Sequence, residues 1–238
     1  MRSWENIPEN MKNDSVKEYY DILKKRRGSL FLKRLFDVCA SGIMLLFLLP
    51  VFAVIAVAIK LDSKGPVFYR QVRITRYGEE FRIFKFRTMV TDADKGSKLT
   101  VANDSRITRV GGFLRKYKLD ELGQLIDVFR GKMSFVGTRP EVQKYVAVYT
   151  DEMLATLLLP AGITSEASVC YKDESALLDA SDNPEKTYID RILPDKMKYN
   201  LAAVRDFSFF GDIKIMIKIN ISKDEITVKG HSGYTGKS

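Results

Sequence analysis

Histidine is nearly missing from this chain of 238 residues: there is one, His231, close to the C-terminus. That excludes sites that need two His ligands, and His231 itself is expected to be exposed rather than catalytic. Cysteine is scarce as well. Cys39 and Cys170 cannot build a disulfide framework and are expected to stay reduced. Internal repeats, low-complexity linkers and signal-peptide grammar are lacking. With 45% hydrophobic and 29% charged residues the composition is globular, which excludes a disordered chain, a collagen-like chain and a many-span transporter. Acid is in deficit: 30 Asp and Glu face 39 Lys and Arg, leaving a net charge of +9. The imbalance points to an anionic partner, whether nucleic acid, phospholipid headgroups or a phosphorylated substrate.

One stretch lacks charge altogether. Residues 38–59, VCASGIMLLFLLPVFAVIAVAI, hold none, and about 22 residues at about 1.5 Å each reach roughly 33 Å, enough to cross a hydrocarbon core. Membrane association follows. The positive-inside rule does not orient the segment, because Lys24, Lys25, Arg26, Arg27, Lys33 and Arg34 precede it and Lys60 and Lys64 follow. Pro50 lies at its middle, where a missing backbone donor kinks or breaks a helix. Two basic ends and a central proline fit a segment that enters and returns on one face; a single span with a tolerated proline fits equally.

Beyond the turn at Gly65–Pro66 the chain is soluble and basic. Phe81, Ile83, Lys85 and Arg87 alternate with Arg82, Phe84, Phe86 and Thr88, a period of two that predicts a strand, with Tyr77–Gly78 as the turn from an earlier one. Arg70, Arg73, Arg76, Arg82, Lys85 and Arg87 crowd this hairpin. A solvated basic face, headgroup or phosphate binding, and single-stranded nucleic acid binding on the interleaved aromatics all fit it. Residues 91–104 read as a loop whose Asp92 and Asp94 form the D-x-D pattern of metal-dependent glycosyltransferases, a short pattern common by chance.

The segment SRITRVGGFLRKYKLDELGQLIDVFRGKMSFVGTRPE carries the most information. Leu119, Leu122, Leu125, Ile126 and Phe129 predict one apolar helix face, with Asp120, Gln124 and Asp127 on the opposite side. Asp120 and Glu121 open this helix, where carboxylates are favoured. Arg115 precedes them, Gly111–Gly112 and Gly131–Gly137 flank the helix, and Arg139–Pro140 follows. Two carboxylates among arginines suit phosphate chemistry with a divalent cation: one attacks or holds Mg²⁺, the other orients or shuttles a proton, and the arginines neutralise phosphate oxygens.

Here the chain resembles the bacterial sugar transferases, the monotopic polyprenyl-phosphate phosphoglycosyl transferases. The resemblance runs from about Lys33 to about Lys218 through KRLFD (33–37), the apolar block with its proline, GPVFYRQVRIT (65–75), FRIFKFRTM (81–89), LRKYKLDELGQLIDVFRGKMSFVGTRPE (114–141) and AGITSEAS (161–168). It implies that an aspartate attacks the β-phosphate of a UDP-sugar, that UMP leaves, and that polyprenyl phosphate takes the phosphosugar from the enzyme. On the matching positions Asp120 is the nucleophile beside Mg²⁺, Glu121 its partner in the dyad, Arg115 and Arg139 the phosphate-contacting arginines, and Lys85 and Arg87 the basic strand. The family's membrane helix is broken and re-entrant. The implied fold is α+β: a mostly helical catalytic domain (62–221) with a small β-hairpin, attached by a membrane-inserted helix (33–61) broken at Pro50, with a polar and basic lead (1–32) and a polar tail (222–238). The implied partners are a UDP-sugar, polyprenyl phosphate and inner-membrane lipid, not nucleic acid; a homodimer is left open. The implied place is the cytoplasmic face of a bacterial inner membrane.

Several positions depart from the family's pattern. Lys118 stands where Ser or Thr is usual, Gly123 where Pro is, and Asp127 near the usual Asn. GPRP reads Gly137-Thr138-Arg139-Pro140, and RPGITG reads Pro160-Ala161-Gly162-Ile163-Thr164-Ser165, without its arginine. Asn200 stands where Asp is frequent, and Leu49 where many members have Ser. These departures bear on sugar specificity, and those at Pro160–Ala161 and Asn200 are the one support for a rival reading, a non-catalytic scaffold of the same family. A membrane-tethered nucleic-acid binder is the other rival; it leaves the Asp120–Glu121 helix without a role. Two further helices are expected: an amphipathic one over 141–160, and one near the C-terminus, where Ile213, Ile215, Ile217 and Ile219 alternate while Lys214 and Lys218 keep helical spacing.

Overall fold

The computed structural model describes residues 1–91, 106–171, 174–179 and 181–218. Asp92, Asp94, Ile219 and His231, which the sequence singled out, lie outside them. The architecture is α+β, mostly helical with two small sheets among the described residues.

Helix α1 (Asp14–Lys25) starts at Asn13, whose side chain accepts the Val16 N–H at 2.8 Å, a standard N-cap. Its apolar stripe of Val16, Tyr19, Tyr20 and Leu23 joins Ile7 and Met11 in a core completed by Ile74, Tyr77, Leu154, Leu158, Val204 and Phe207. The N-terminal lead is therefore folded onto the same body as residues from the hairpin and the C-terminal half. Tyr19 donates to Glu152 at 2.6 Å and accepts from Arg205 at 2.9 Å, tying α1 to two distant segments.

Helix α2 (Arg27–Asp62) contains the uncharged block and is the one described helix long and apolar enough to cross a membrane. The expected break at Pro50 is not a break in the helix: α2 runs through it. Proline's φ is helical, and its loss is one hydrogen bond. Both parts of α2 pack on the rest of the protein. Gly42 lies against Phe129, where a Cβ would sit 3.2 Å from the ring. Past the proline, Phe52 meets Phe86 with ring centroids 5.2 Å apart, and Ile55 and Ile59 are buried with Phe86 and Leu114. Between these contacts Ile43, Met44, Leu46, Phe47, Leu49 and Val51 are exposed.

The predicted hairpin forms. Strand β1 (Phe68–Ile74) pairs antiparallel with β2 (Glu80–Phe86) in the register Phe68↔Phe86 to Ile74↔Glu80. The turn passes through Tyr77 and Gly78 at φ of 61 and 72°. Strand β2 is covered on both faces: Phe81 and Ile83 pack on Val128 and Met133, and Phe86 on α2 and Leu114. Helix α3 (Arg109–Lys116) is capped by Thr108 and accepts Asp62 of α2 at its start, where the Asp62 carboxylate takes the Val110 N–H at 2.9 Å.

The helix expected from Leu119 to Phe129 is a 3₁₀ turn (Leu119–Gly123) followed by α4 (Gln124–Phe129). Its two faces also depart from the apolar/polar division. Gln124 and Asp127 are buried, Asp127 against β2, while Phe129 is half-exposed beside Gly42. The reason is tertiary: α4 is enclosed by β2, α2 and the strand that follows it, so the polar side has a backbone to bind. That strand, β3 (Met133–Val136), pairs in parallel with β4 (Ala161–Thr164), a contact the sequence did not announce. Gly137 and Gly162 meet so closely that a Cβ on Gly162 would lie 2.1 Å from the Gly137 nitrogen. Residues 141–160 do not form one amphipathic helix. A short helix (Gln143–Val146) and a 3₁₀ segment (Met153–Leu158) split it, because Leu154, Ala155, Leu157 and Leu158 fill the core shared with α1. Residues 209–218 are helical, so the period of two there does not make a strand.

Candidate active site

The 3₁₀ turn that bears Asp120 and Glu121 is entered through Lys118 at φ 54°. A lysine in the left-handed region is strained by about 1 kcal/mol or more, and such residues gather where a turn must aim functional groups. The turn seats on β2: a Cβ on Gly123 would come within 2.8 Å of the Phe84 carbonyl oxygen.

Glu121 sits between two cations. Its Oε1 accepts Lys85 Nζ at 3.1 Å and Arg139 Nη2 at 3.1 Å. Burial pushes its carboxyl up, but Lys85 and Arg139 outweigh that and hold it down to about 2. Glu121 is thus ionised at neutral pH and bridges two cations, Lys85 and Arg139. Asp120 is different. Burial pushes its carboxyl above the usual carboxylate range, the Glu121 charge pushes the same way, and Lys85 and Arg115 pull against them. A carboxylate in such a place is more basic, and a better nucleophile, than one free in water.

Arg115 projects from α3 and donates from Nε to Thr88 Oγ1 at 2.8 Å. Helix α3 can lie that close to Thr88 because Gly111 has no Cβ, which would fall 2.1 Å from the Thr88 carbonyl oxygen. Arg139 follows β3 and has a half-exposed side chain, 45% accessible, so its guanidinium faces both Glu121 and solvent. The structure thus brings together Asp120, Glu121, Lys85, Arg115 and Arg139. It does not place Arg87 with them. Arg87 is buried and donates from Nη2 to the Ser63 carbonyl at 2.8 Å and from Nη1 to that of Lys64. It clamps the chain leaving α2, and Gly65 is needed there, since a Cβ would lie 2.0 Å from Arg87 Nη1.

Sequence reasoning missed a supporting layer. Glu141, directly after Arg139–Pro140, accepts the buried Tyr188 hydroxyl at 2.5 Å, and Arg73 donates to the Pro140 carbonyl at 3.2 Å. Lys33 binds Asp212 and the Val136 carbonyl, joining α2, β3 and the C-terminal helix. Lys33 and Arg73 were visible in the sequence only as basic charge, and Glu141 by its place beside the arginine; Tyr188 and Asp212 carried no signal.

Among the described residues no three Asp, Glu, His or Cys groups form a metal cage. Mg²⁺ does not need one, since one or two carboxylates with substrate phosphates and water complete its shell. Asp120 fits that mode: Glu121 is engaged by Lys85 and Arg139, while Asp120 carries a neighbouring negative charge that a divalent cation would relieve.

A model of the family described as bacterial sugar transferase matches residues 28–222. The UDP-glucose:undecaprenyl-phosphate glucose-1-phosphate transferase of Escherichia coli (strain K12) is 36% identical over 190 residues, covering 78% of this chain and 38% of that protein. The UDP-N-acetylgalactosamine-undecaprenyl-phosphate N-acetylgalactosaminephosphotransferase of Aeromonas hydrophila is 33% identical over 192 residues, 79% of this chain and 42% of that one. The exopolysaccharide production protein ExoY of Rhizobium meliloti (strain 1021) is 32% identical over 202 residues, 78% of this chain and 82% of that one. The chain spans about two fifths of the length of the first two relatives and most of the third.

Proposed function

The chain belongs to the bacterial sugar transferase family, and from that premise we propose that it moves a sugar 1-phosphate from a UDP-sugar to undecaprenyl phosphate and releases UMP, as the first step of a surface glycan. The relatives named above act on glucose and on N-acetylgalactosamine, so the sugar is left to experiment. The observation that carries the reading is one arrangement: a half-buried, basic carboxylate, Asp120, on a strained turn beside Lys85, Arg115 and a Glu121 that is paired with Arg139.

In the proposed reaction an Asp120 oxygen bonds to the β-phosphorus of the donor. The bond from that phosphorus to the bridging oxygen breaks, and UMP leaves with the electron pair. An oxygen of undecaprenyl phosphate then attacks the same phosphorus, the bond to Asp120 breaks, and the carboxylate is regenerated. One phosphoanhydride replaces another, so ATP has no part. Arg115 and Arg139 bind phosphate oxygens, and Glu121 holds Lys85 and Arg139 in place. Mg²⁺ held by Asp120 would neutralise charge on the diphosphate.

The acceptor's phosphate lies at headgroup depth, and the anchor is proposed to hold the site there on the cytoplasmic face of the inner membrane, the continuous helix α2 bending at Pro50 so that it enters one leaflet and returns. What supports this is the spacing of contacts along α2. Residues 43–51 separate the contact at Gly42 from the one at Phe52, and about nine residues reach about 14 Å, less than half of a hydrocarbon core of about 30 Å. With both flanks of the segment docked on one body, the exposed apolar tip around Phe47 enters the bilayer without crossing it. Single cysteines at Gly28 and Lys64, in a chain freed of Cys39 and Cys170, are expected to react with a membrane-impermeant maleimide from the same side of inverted vesicles. Labelling from opposite sides would replace the anchor by a span.

The reaction is tested by nucleotide release. Full-length protein in nanodiscs with undecaprenyl phosphate, Mg²⁺ and a panel of UDP-sugars is expected to liberate UMP from one of them. UDP in place of UMP would indicate an ordinary glycosyltransferase. Silence across the panel from folded protein would favour a scaffold.

A further inference from the structure

Asp127 has no place in the reaction as drawn, yet it is buried beneath the site, 2% exposed. It sits on α4, seven residues after Asp120. Its Oδ2 accepts the backbone N–H of Phe84 on β2 at 2.8 Å. Two further contacts meet at this point of β2. Gly123 of the Asp120 turn presses on the Phe84 carbonyl oxygen, and the Arg70 guanidinium lies 3.4 Å from the centroid of the Phe84 ring. The next residue along β2 is Lys85, whose ammonium reaches Glu121. One side chain of α4 therefore clamps the strand where the catalytic turn docks, one residue from a cation of the site.

We propose that Asp127 is a positioning residue for the transfer reaction, its ionised carboxylate holding β2 so that Lys85 meets Glu121. This rests on the reading of Asp120 and Glu121 as the reacting pair. The charges that face Asp127 are Arg70 from β1 and Arg130 at the end of α4. From α2, Arg34 is turned to the Val128 and Phe129 carbonyls instead. On β2, Arg82 is exposed and Lys85 is bound to Glu121; after α4, Lys132 reaches Glu79. Burial pushes the Asp127 carboxyl up to about 6, against the lowering effect of the Phe84 N–H, Arg70 and Arg130. Below that pH the group is neutral, the bond to Phe84 is no longer charge-assisted, and the strand is held less firmly. Turnover is then expected to fall as pH drops through about 6, with substrate affinity little changed.

The experiment compares wild type, Asp127→Asn and Asp127→Ala, full length in nanodiscs, between about pH 5 and about pH 8.5. UMP release is followed with the UDP-sugar the panel identifies, and amide exchange at Phe84 and Lys85 is measured on the same samples without substrate. Asp127→Ala is expected to lower kcat about tenfold to a hundredfold with KM within about twofold, since a misplaced group acts on the chemical step. Asp127→Asn, whose amide oxygen accepts the same N–H, is expected to recover most of that loss near pH 8. It should also lack the part of the acid limb that belongs to Asp127, while Asp120 retains its own. Protection at Phe84 should fall below about pH 6 in wild type and stay level in Asp127→Asn. Superimposable pH profiles and protection in these two proteins would overturn the proposal, whether or not Asp127→Ala folds. If no UDP-sugar yields UMP, the assignment of the reaction fails, and the exchange data alone decide whether Asp127 holds the strand.

Discussion

Replacing Asp120 by Asn is expected to lower UMP release by at least about a thousandfold while the protein stays folded. On the proposed mechanism the variant lacks the attacking atom rather than a contact to substrate, which sets the size. The stability expectation follows from the direction in which burial moves the carboxyl. A group held above its ordinary range is stabilised in its protonated form by folding, so its ionised form weakens the fold at neutral pH. A neutral amide of the same shape should leave the melting temperature level or raise it at pH 7, with the difference vanishing below the ordinary carboxylate range. Intact-mass measurement makes the assignment sharper. Wild type given a UDP-sugar without acceptor is expected to gain the mass of a phosphosugar, and the Asn variant to gain none. A variant that still releases UMP at a tenth of the wild-type rate would remove Asp120 from the role of nucleophile. Glu121→Gln should fall less steeply, because it loosens Lys85 and Arg139 without deleting the nucleophile.

Deleting residues 1–25 is expected to abolish the folded state, although the match to the family begins only at residue 28. These residues supply Ile7, Met11, Val16, Tyr19, Tyr20 and Leu23 to the core they share with Ile74, Tyr77, Leu154, Leu158, Val204 and Phe207. Without them the second set faces water. Six buried side chains at about 1.5–3 kcal/mol each approach or exceed the whole stability of an ordinary domain, about 5–15 kcal/mol. Single substitutions grade the effect. Leu23→Ala should destabilise by about 2–5 kcal/mol, and Tyr19→Phe by about 1 kcal/mol through loss of its bonds to Glu152 and Arg205. Denaturant titration of detergent-solubilised protein reads all three. A truncated chain that unfolds at the wild-type midpoint would show that the lead is an appendage.

The hairpin, the uncharged block and the Asp120–Glu121 pair were legible because each rests on a short-range rule: a period of two, a length without charge, two acids among arginines. The faces of the segment from Leu119 to Phe129 were not. Helical spacing sorted Gln124 and Asp127 to a polar side and Phe129 to the core, but burial reverses all three. Spacing states which residues share a side, not what packs on that side. Arg87 illustrates the same limit. Its alternation with Lys85 is real, yet Lys85 ends on Glu121 and Arg87 on the carbonyls that follow α2.

The linear sequence by itself determined a basic chain with one membrane-seeking helix and the carboxylate pair, because composition and local periodicity carry those properties, while the α+β body was implied by the resemblance to the family. Only the tertiary structure decided that residues 1–25 complete the core, that both flanks of α2 dock on one body, and that Glu121 anchors cations while Asp120 is left basic. Those outcomes depend on burial and on charges brought from β2, α3 and the segment after β3. Such long-range contacts fix the surroundings of a group, and no local pattern encodes them.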